Sequence, residues 1–268
     1  MILTGHQRLT IDLKRALFAG VTFAGSLAQT GAGPFERQLR GNGSGINGLV
    51  NLSATGKFQR ADISANAVNA LVPGVPPIAI GRAIINGSII LYATPQITRQ
   101  AQIAALRTGA LNINAARAEI AYQGGSGQLK LVAEGSNSIP FRVAANASLS
   151  PKLYRVALAG RVNGIDFKTA NPTEIRPERG AYRLSPVQVG LSKGNVRLAG
   201  TYGNGYALQS QLDRFDISLL NGGAPNLWLA GVASGRLDVA QNAGGSFPTA
   251  TANLAIIGFS RASLTGNS

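Results

Sequence analysis

The fold of this chain is decided by residues 195–220, "NVRLAGTYGNGYALQSQLDRFDISLL". Apolar and polar side chains alternate through residues 195–202, so that Val196, Leu198 and Tyr202 share one side of an extended chain. Arg197 and its alternate neighbours occupy the other side. Because side chains of a strand point alternately to its two faces, this pattern predicts a half-buried β-strand.

The residues that follow predict a hairpin and then a short turn. Residues 203–205 (GNG) tolerate positive φ, and alternation resumes with Tyr206, Leu208 and Leu212. Asp216 precedes the apolar pair at 219–220 and the Gly- and Pro-containing break at 221–225. We therefore expect Asp216 to accept backbone N–H bonds at the start of one helical turn, and a new strand to begin at Leu227.

The rest of the chain repeats this style. Its 268 residues include 34 Gly, only 13% charged and 6% aromatic residues, and short apolar runs bounded by Gly, Asn, Ser or Pro recur along it. Such a composition is typical of many short strands in a meander rather than of an α/β enzyme. Residues 97–110 combine helix-forming Ala, Gln and Leu with strand-like flanks, and we predict a strand there.

Several segments resemble the TamB family (translocation and assembly module subunit), which belongs to the AsmA-like bridge-type lipid transfer proteins. The matching segments are 182–186 (YRLSP), 196–203 (VRLAGTYG), 212–221 (LDRFDISLLN) and 235–239 (GRLDV), with weaker matches at 139–146 and 163–167. The resemblance covers the chain from about residue 40 onward and includes no catalytic motif. From the resemblance we expect the chain to be an internal fragment of such a protein.

The resemblance implies an all-β fold: a long, strongly bent, mostly antiparallel sheet that forms an open groove, β-taco or β-solenoid-like, with one or two very short helical turns. We expect residues 1–170 to form one groove segment, 171–180 a polar, Pro-punctuated seam, and 181–268 the continuation of the same groove. Residues 61–73 also form a faint copy of 215–225, which suggests short helical elements that interrupt the sheet.

The resemblance also implies a function. Members of the family are conduits that move phospholipids between the inner and outer membranes along an apolar β groove, in the periplasm of Gram-negative bacteria. They are associated with a BamA-like outer-membrane protein in translocation and assembly, and are anchored to the inner membrane. We expect those contacts to involve regions absent from this chain, and we expect no reaction to be catalysed.

We predict that the acyl chains of phospholipids contact a set of apolar residues at alternate strand positions. These are Leu129, Leu131, Phe141, Val143, Val156, Leu158, Val196, Leu198, Tyr202, Leu208, Leu212, Leu229, Leu237 and Val239. The pattern alone is equally compatible with a closed sandwich core, because both arrangements need one apolar face per strand.

Other classes of function find little support in the residues. The chain has no Cys and one His, His6, and its 11 carboxylates are dispersed, so we predict no catalytic residues, no metal and no cofactor. Residues 43–48 match the G-x-G-x-x-G pattern, but a strand-like segment follows where a nucleotide site needs a helix. The net charge of +14 favours anionic partners, yet aromatic and basic residues are not interleaved as nucleic-acid binding requires.

Three alternatives stay open at this point. A surface or secreted β-solenoid adhesin or structural scaffold shares the Gly, Asn and alternating strands. A carbohydrate-active β protein would need two carboxylates converging in a cleft. Residues 14–28 imitate a signal peptide, although the alternation that begins at Leu9 favours a strand.

Overall fold

The structure is a computed structural model that describes residues 8–137, 139–222, 228–244 and 247–261. The chain divides into two compact units, with the boundary between residues 138 and 139. We call them the N-terminal unit and the C-terminal unit. His6 and Leu227 lie outside the described residues.

Within residues 8–137, the N-terminal unit is an antiparallel meander of nine strands. Each strand pairs with the next one along the chain. The strands are β1 (Thr10–Phe18), β2 (Val21–Gln29), β3 (Phe35–Gly43), β4 (Ile46–Thr55), β5 (Phe58–Val72), β6 (Ile78–Ile90), β7 (Gln96–Thr108), β8 (Leu111–Gln123) and β9 (Ser126–Asn137).

The C-terminal unit is also built from antiparallel strands. Its strands are β10 (Ile139–Ser150), β11 (Leu153–Val162), β12 (Ile165–Thr169), β13 (Thr173–Glu178), β14 (Ala181–Leu191), β15 (Asn195–Gly203), β16 (Gly205–Asp216), β17 (Leu229–Asn242) and β18 (Thr249–Arg261). All pairings are antiparallel. One 3₁₀ turn, Ile217–Gly222, follows β16.

These elements confirm the predicted fold class, which was an all-β, antiparallel architecture with one or two very short helical turns. Residues 97–108 form a strand, as predicted. Gly203 pairs with Gly205 in the predicted hairpin, and Asp216 accepts a hydrogen bond of 2.9 Å from the backbone N–H of Ser218. The glycine-rich residues 43–48 comprise the end of β3, a two-residue turn at 44–45 and the start of β4, so a strand follows where a nucleotide site requires a helix.

One expectation was wrong. Residues 61–73 are similar in sequence to 215–225, but they form no helical turn. Asp62 lies in the middle of β5, where its carboxylate binds the side chain of Arg60 instead of capping a turn. The difference follows from register, because Asp62 pairs with Asn51 and Ser88 inside continuous ladders, whereas Asp216 ends its strand.

The polar segment 171–180 contains strand β13. β12 and β13 share one position in the sheet, because β11 pairs with both of them and β14 also pairs with both. Two buried threonines, at the end of β12 and the start of β13, make hydrogen bonds to neighbouring strands. Leu158 donates its backbone N–H to the Thr169 hydroxyl at 3.1 Å, and the Thr173 hydroxyl donates to the carbonyl of Ser185 at 3.4 Å. These bonds replace ladder bonds where the strand is interrupted.

Left-handed residues bend both sheets and shift their alternation. Ala67 and Ala70 belong to one buried cluster with Ala83, although residues three apart in a regular strand point to opposite faces. Asn69, between them, has a φ of 49° and resets the alternation by one residue. In the C-terminal unit, Arg214 has a φ of 48° and also resets the alternation by one residue, so that Leu212 and Phe215 of β16 both face the buried cluster around Ala233.

Little of either sheet is covered. The accessible surface is 17357 Å², whereas a compact protein of this mass exposes about 11,000 Å² and two separate domains of half the mass about 13,000 Å². Among the described residues, no large side chain is fully buried, and most buried apolar residues are alanines. Each unit is therefore a single-layered sheet.

Candidate functional site

The C-terminal unit has one apolar face. In an antiparallel pair, residues directly opposite each other lie on the same side of the sheet, so the pairing registers define that face. One row crosses three strands as Val189, Val196 and Leu212, and the next runs from Val187 through Leu198. The second row continues through Ser210 to Leu237. The apolar face is therefore continuous across neighbouring strands.

The structure places all fourteen predicted residues on the apolar face of their own unit. Leu129 and Leu131 pair with Ile120 and Ala118 in the N-terminal unit. In the C-terminal unit, the other twelve are Phe141, Val143, Val156, Leu158, Val196, Leu198, Tyr202, Leu208, Leu212, Leu229, Leu237 and Val239. The structure thus brings them together on common faces, while their contact with lipid stays a prediction.

Their exposure differs along the face. Leu212 is 9% exposed because it packs against Ile217 of the 3₁₀ turn and Ala233. Leu229 also packs against this cluster. By contrast, Leu208 is 39% and Tyr202 67% exposed. The 3₁₀ turn therefore covers one end of the face, and the rest is open or shielded only by its own neighbours.

Tyrosines form a row at one end of the strands. Tyr182 pairs with Tyr202, which pairs with Tyr206. Tyr182 and Tyr202 are 47% and 67% exposed. A tyrosine ring suits the border of an apolar surface, because the ring packs against it while the hydroxyl stays in water. The row marks one rim of the apolar face.

The N-terminal unit has an equivalent apolar face that the sequence reasoning largely missed. One row runs through Val50, Ile63 and Gly87, and continues through Arg99 and Ile120 to the predicted Leu129. The signal was present in the sequence as apolar residues three apart at each bulge, such as 67 and 70, or 80 and 83. A strict period of two does not recognise that spacing.

The opposite face of each sheet carries the ion pairs, and in the N-terminal unit it also exposes the apolar residues Val68, Ile84 and Val132. Several ion pairs join residues two apart in one strand, which point to the same side. Examples are Arg60 with Asp62 at 2.8 Å, and Arg117 with Glu119 and Arg236 with Asp238, both at 2.7 Å. Exposed pairs of this kind contribute little stability, so their main effect is to keep this face hydrated.

One carboxylate of the polar face lies between two cations. Glu174 binds Arg176 at 2.9 Å and Arg155, on the adjacent strand, at 3.2 Å. The hydrogen bonds from Arg176 and then Arg155 hold the pKa of Glu174 below its ordinary value. Such a carboxylate stays ionised and is a poor general acid, which fits a structural pairing rather than catalysis.

The described residues contain no group of three or more potential metal ligands. In the same part of the chain, no helix has the length and hydropathy needed to cross a membrane. A shallow hollow of about 210 Å³ lies beside the bulge in β14 and is lined by polar-face residues that include Arg197 and Arg236. It is open to solvent and brings no acid–base pair together.

The fold and its faces define a class: an antiparallel all-β protein whose single-layered sheets are apolar on one side and ionic on the other. Comparison with protein-family models finds no match. Searches of curated proteins and of solved structures likewise find no similar protein.

Proposed function

We propose that this chain is a segment of a bridge-like conduit along which phospholipid acyl chains move on an apolar β surface. The observation that carries the proposal is the uncovered apolar face. Its large side chains stay partly exposed in both units, and among the described residues no second layer of helix or strand packs over them beyond the 3₁₀ turn. An ordinary sandwich core would bury such residues against a facing sheet.

Lipid explains why such a surface is useful. A chain of about 16 methylene groups that leaves an apolar site for water loses on the order of 12 kcal/mol. A face that repeats similar apolar rows from strand to strand lets the chain slide between near-equivalent positions and avoids that barrier. The described strands occupy nine positions in the N-terminal unit and eight in the C-terminal unit, and at a spacing of about 4.8 Å they extend such a path over roughly 35 to 40 Å in each unit.

The polar face supports the same proposal. Arg, Asp and Glu side chains on that side pair with one another, so each strand separates a hydrated side from an apolar one. From the TamB resemblance we further propose that the protein works in the periplasm of a Gram-negative bacterium. We propose that an inner-membrane anchor and contacts with a BamA-like outer-membrane partner are supplied by regions outside this chain.

Site-specific photocrosslinking tests the proposal. A photoreactive amino acid replaces Leu198, on the apolar face, or the adjacent Arg197, on the polar face, in cells that produce the complete protein. Leu198 pairs with Val187 and Ser210, whereas Arg197 pairs with Gln188 and Gln211. We expect phospholipid adducts at position 198 and not at 197.

The two positions are matched controls for expression, folding and location. Absence of adducts at both, in protein that is folded and exported, would make the apolar face an ordinary packing surface and favour a structural scaffold or adhesin. Equal yields at both would indicate nonspecific contact with lipid, and would also overturn the proposal.

A further inference from the structure

Arg99 of β7 has an unusual position. It pairs with Gly87 of β6 and Ile120 of β8, and all three residues belong to one row of the apolar face of the N-terminal unit. Within the described strands β4 to β9, it is the one charged residue on that face. Its side chain is half-buried, while its chain neighbours Thr98 and Gln100 on the other face are exposed.

Arg99 packs closely against the backbone of Gly87. Gly87 has no side chain, and a Cβ added there would lie 3.2 Å from the Cβ of Arg99 and 2.9 Å from the carbonyl oxygen of Thr98. The residues two before and two after Arg99 are Ile97 and Ala101. Arg99 therefore lies in an apolar row, opposite a residue that has no side chain of its own.

Within the described part of the chain, Arg99 has no side-chain partner although it is half-buried, whereas the polar-face arginines that lack a partner, such as Arg82 and Arg197, are exposed. Arg60, Arg117 and Arg236 each bind a carboxylate two residues away, whereas the equivalent neighbours of Arg99 are apolar. Among the described residues, no hydrogen bond or ion pair involves its side chain. A half-buried guanidinium without an anion is unfavourable, because it loses water without a replacement.

We propose that Arg99 binds the phosphate of a phospholipid whose acyl chains lie on the apolar residues around it; this inference rests on the proposed function. Guanidinium is permanently charged and its planar fork matches phosphate with two parallel hydrogen bonds. A free phosphate ion would satisfy the charge, but it would leave the surrounding Ile and Leu side chains in water. A phospholipid satisfies both.

The experiment uses the purified full chain with a photoreactive amino acid at Ile63, which lies in the same row as Arg99. One set of vesicles contains phosphatidylglycerol, and another contains diacylglycerol with the same acyl chains. The carrier lipid in both sets is neutral and has no phosphate group. Adducts are identified by mass spectrometry. The variants are Arg99→Gln, Arg99→Lys and, as a matched control of equal charge change on the polar face, Arg82→Gln.

We expect phosphatidylglycerol adducts to exceed diacylglycerol adducts by about tenfold in the unmodified chain and in R82Q, as one charge-assisted contact predicts. R99Q should lose that preference while still capturing diacylglycerol, and R99K should retain part of it. Retained capture of diacylglycerol by R99Q also reports that the face is intact.

The possible failures are distinguishable. Capture of both lipids without a preference that depends on Arg99 would overturn this inference and leave the proposed function standing. Capture of neither lipid by any folded variant would contradict the proposed function itself. Binding of inorganic phosphate that R99Q abolishes, together with equal capture of phosphatidylglycerol and diacylglycerol, would show that Arg99 binds the free anion rather than the lipid.

Discussion

Ala105 lies directly beside Gly81, and a Cβ built on that glycine would approach the Cβ of Ala105 to 2.8 Å. Ala105 has a left-handed φ of 57°, a conformation that costs a residue with a Cβ about 1–2 kcal/mol. Strands β5 and β7 each contain a left-handed residue, Asn69 and Ala105, beside Gly81 of β6. We call this bend in the three strands the crease; it depends on a glycine that faces a left-handed residue. The bend of the sheet is built into these positions.

The crease predicts opposite effects for two adjacent glycine substitutions. Ala105→Gly relieves the left-handed strain, whereas Ala104→Gly, at an exposed strand position without positive φ, only adds freedom to the unfolded chain. We expect the two variants to differ by about 1–2 kcal/mol in the free energy of unfolding, with Ala105→Gly the more stable. Denaturant titration measures this, and equal destabilisation by both would contradict the strain at Ala105.

Two glycines on the apolar face provide a second matched pair. A Cβ at Gly135 would collide with the backbone carbonyl of Asn112, whereas one at Gly48 would make ordinary contact with Ala65 at 3.4 Å. We expect Gly135→Ala to cost about 1–3 kcal/mol through overpacking. Gly48→Ala should be neutral or stabilising. Thermal unfolding of both variants checks the predicted order.

Charge substitutions on the two sides of β15 distinguish an open face from a closed core. Leu198→Asp in an open face places the carboxylate near water, and we expect a loss of about 1–2 kcal/mol. In a closed core the unpaired charge would cost more than about 4 kcal/mol. Arg197→Asp should change stability by no more than about 0.5 kcal/mol.

The same pair of variants reports on function. In folded protein, Leu198→Asp should reduce lipid passage far more than Arg197→Asp, because only the former interrupts the apolar row. Lipid transfer by cells that produce each variant gives the measurement. Similar transfer by both variants would argue against movement of lipid along this face.

Asp216 makes the end of β16 sensitive to acid. Hydrogen bonds from Ser218, together with the ammonium of Lys193 at 3.0 Å, hold the pKa of Asp216 below its ordinary value of 3.8, although partial burial opposes them. A carboxylate whose pKa is lowered on folding stabilises the folded state above its unfolded pKa of about 4. That contribution is lost as the pH falls through the folded value.

Asp216→Asn tests this linkage. The amide still accepts a hydrogen bond from Ser218 but cannot titrate, so we expect stability below about pH 4 to fall less steeply than in the unmodified protein. Gln211→Asn, nearby on the same strand, removes no titratable group and is the control, which should keep the original slope. The measurement is the unfolding free energy at a series of pH values, and an unchanged slope in Asp216→Asn would contradict the prediction.

Local chemistry made much of this fold predictable. The alternation of Val196 and Leu198 with Arg197 determines a strand with two unlike faces, and Gly203 and Gly205 determine its hairpin. Asp216 could be recognised as the cap of a short turn, because a carboxylate at a strand end followed by Ser and two Leu residues has few other roles. These features depend on residues close together in the chain.

Register and tertiary packing decided the remainder. The sequence by itself determined that each strand has an apolar side, but it did not determine where left-handed residues such as Asn69 shift that side. The shift occurs where the ladder between β5 and β6 is interrupted, between the Val68–Arg82 and Ala70–Ile80 pairs. Nor could the sequence place Arg99 on the apolar face. A charged residue in a strand is normally predicted to lie on the polar face, and only the pairing of Arg99 with Gly87 and Ile120 shows that it lies on the apolar one. Whether an apolar face is covered is a property of distant elements, and only the three-dimensional structure shows large side chains left partly exposed.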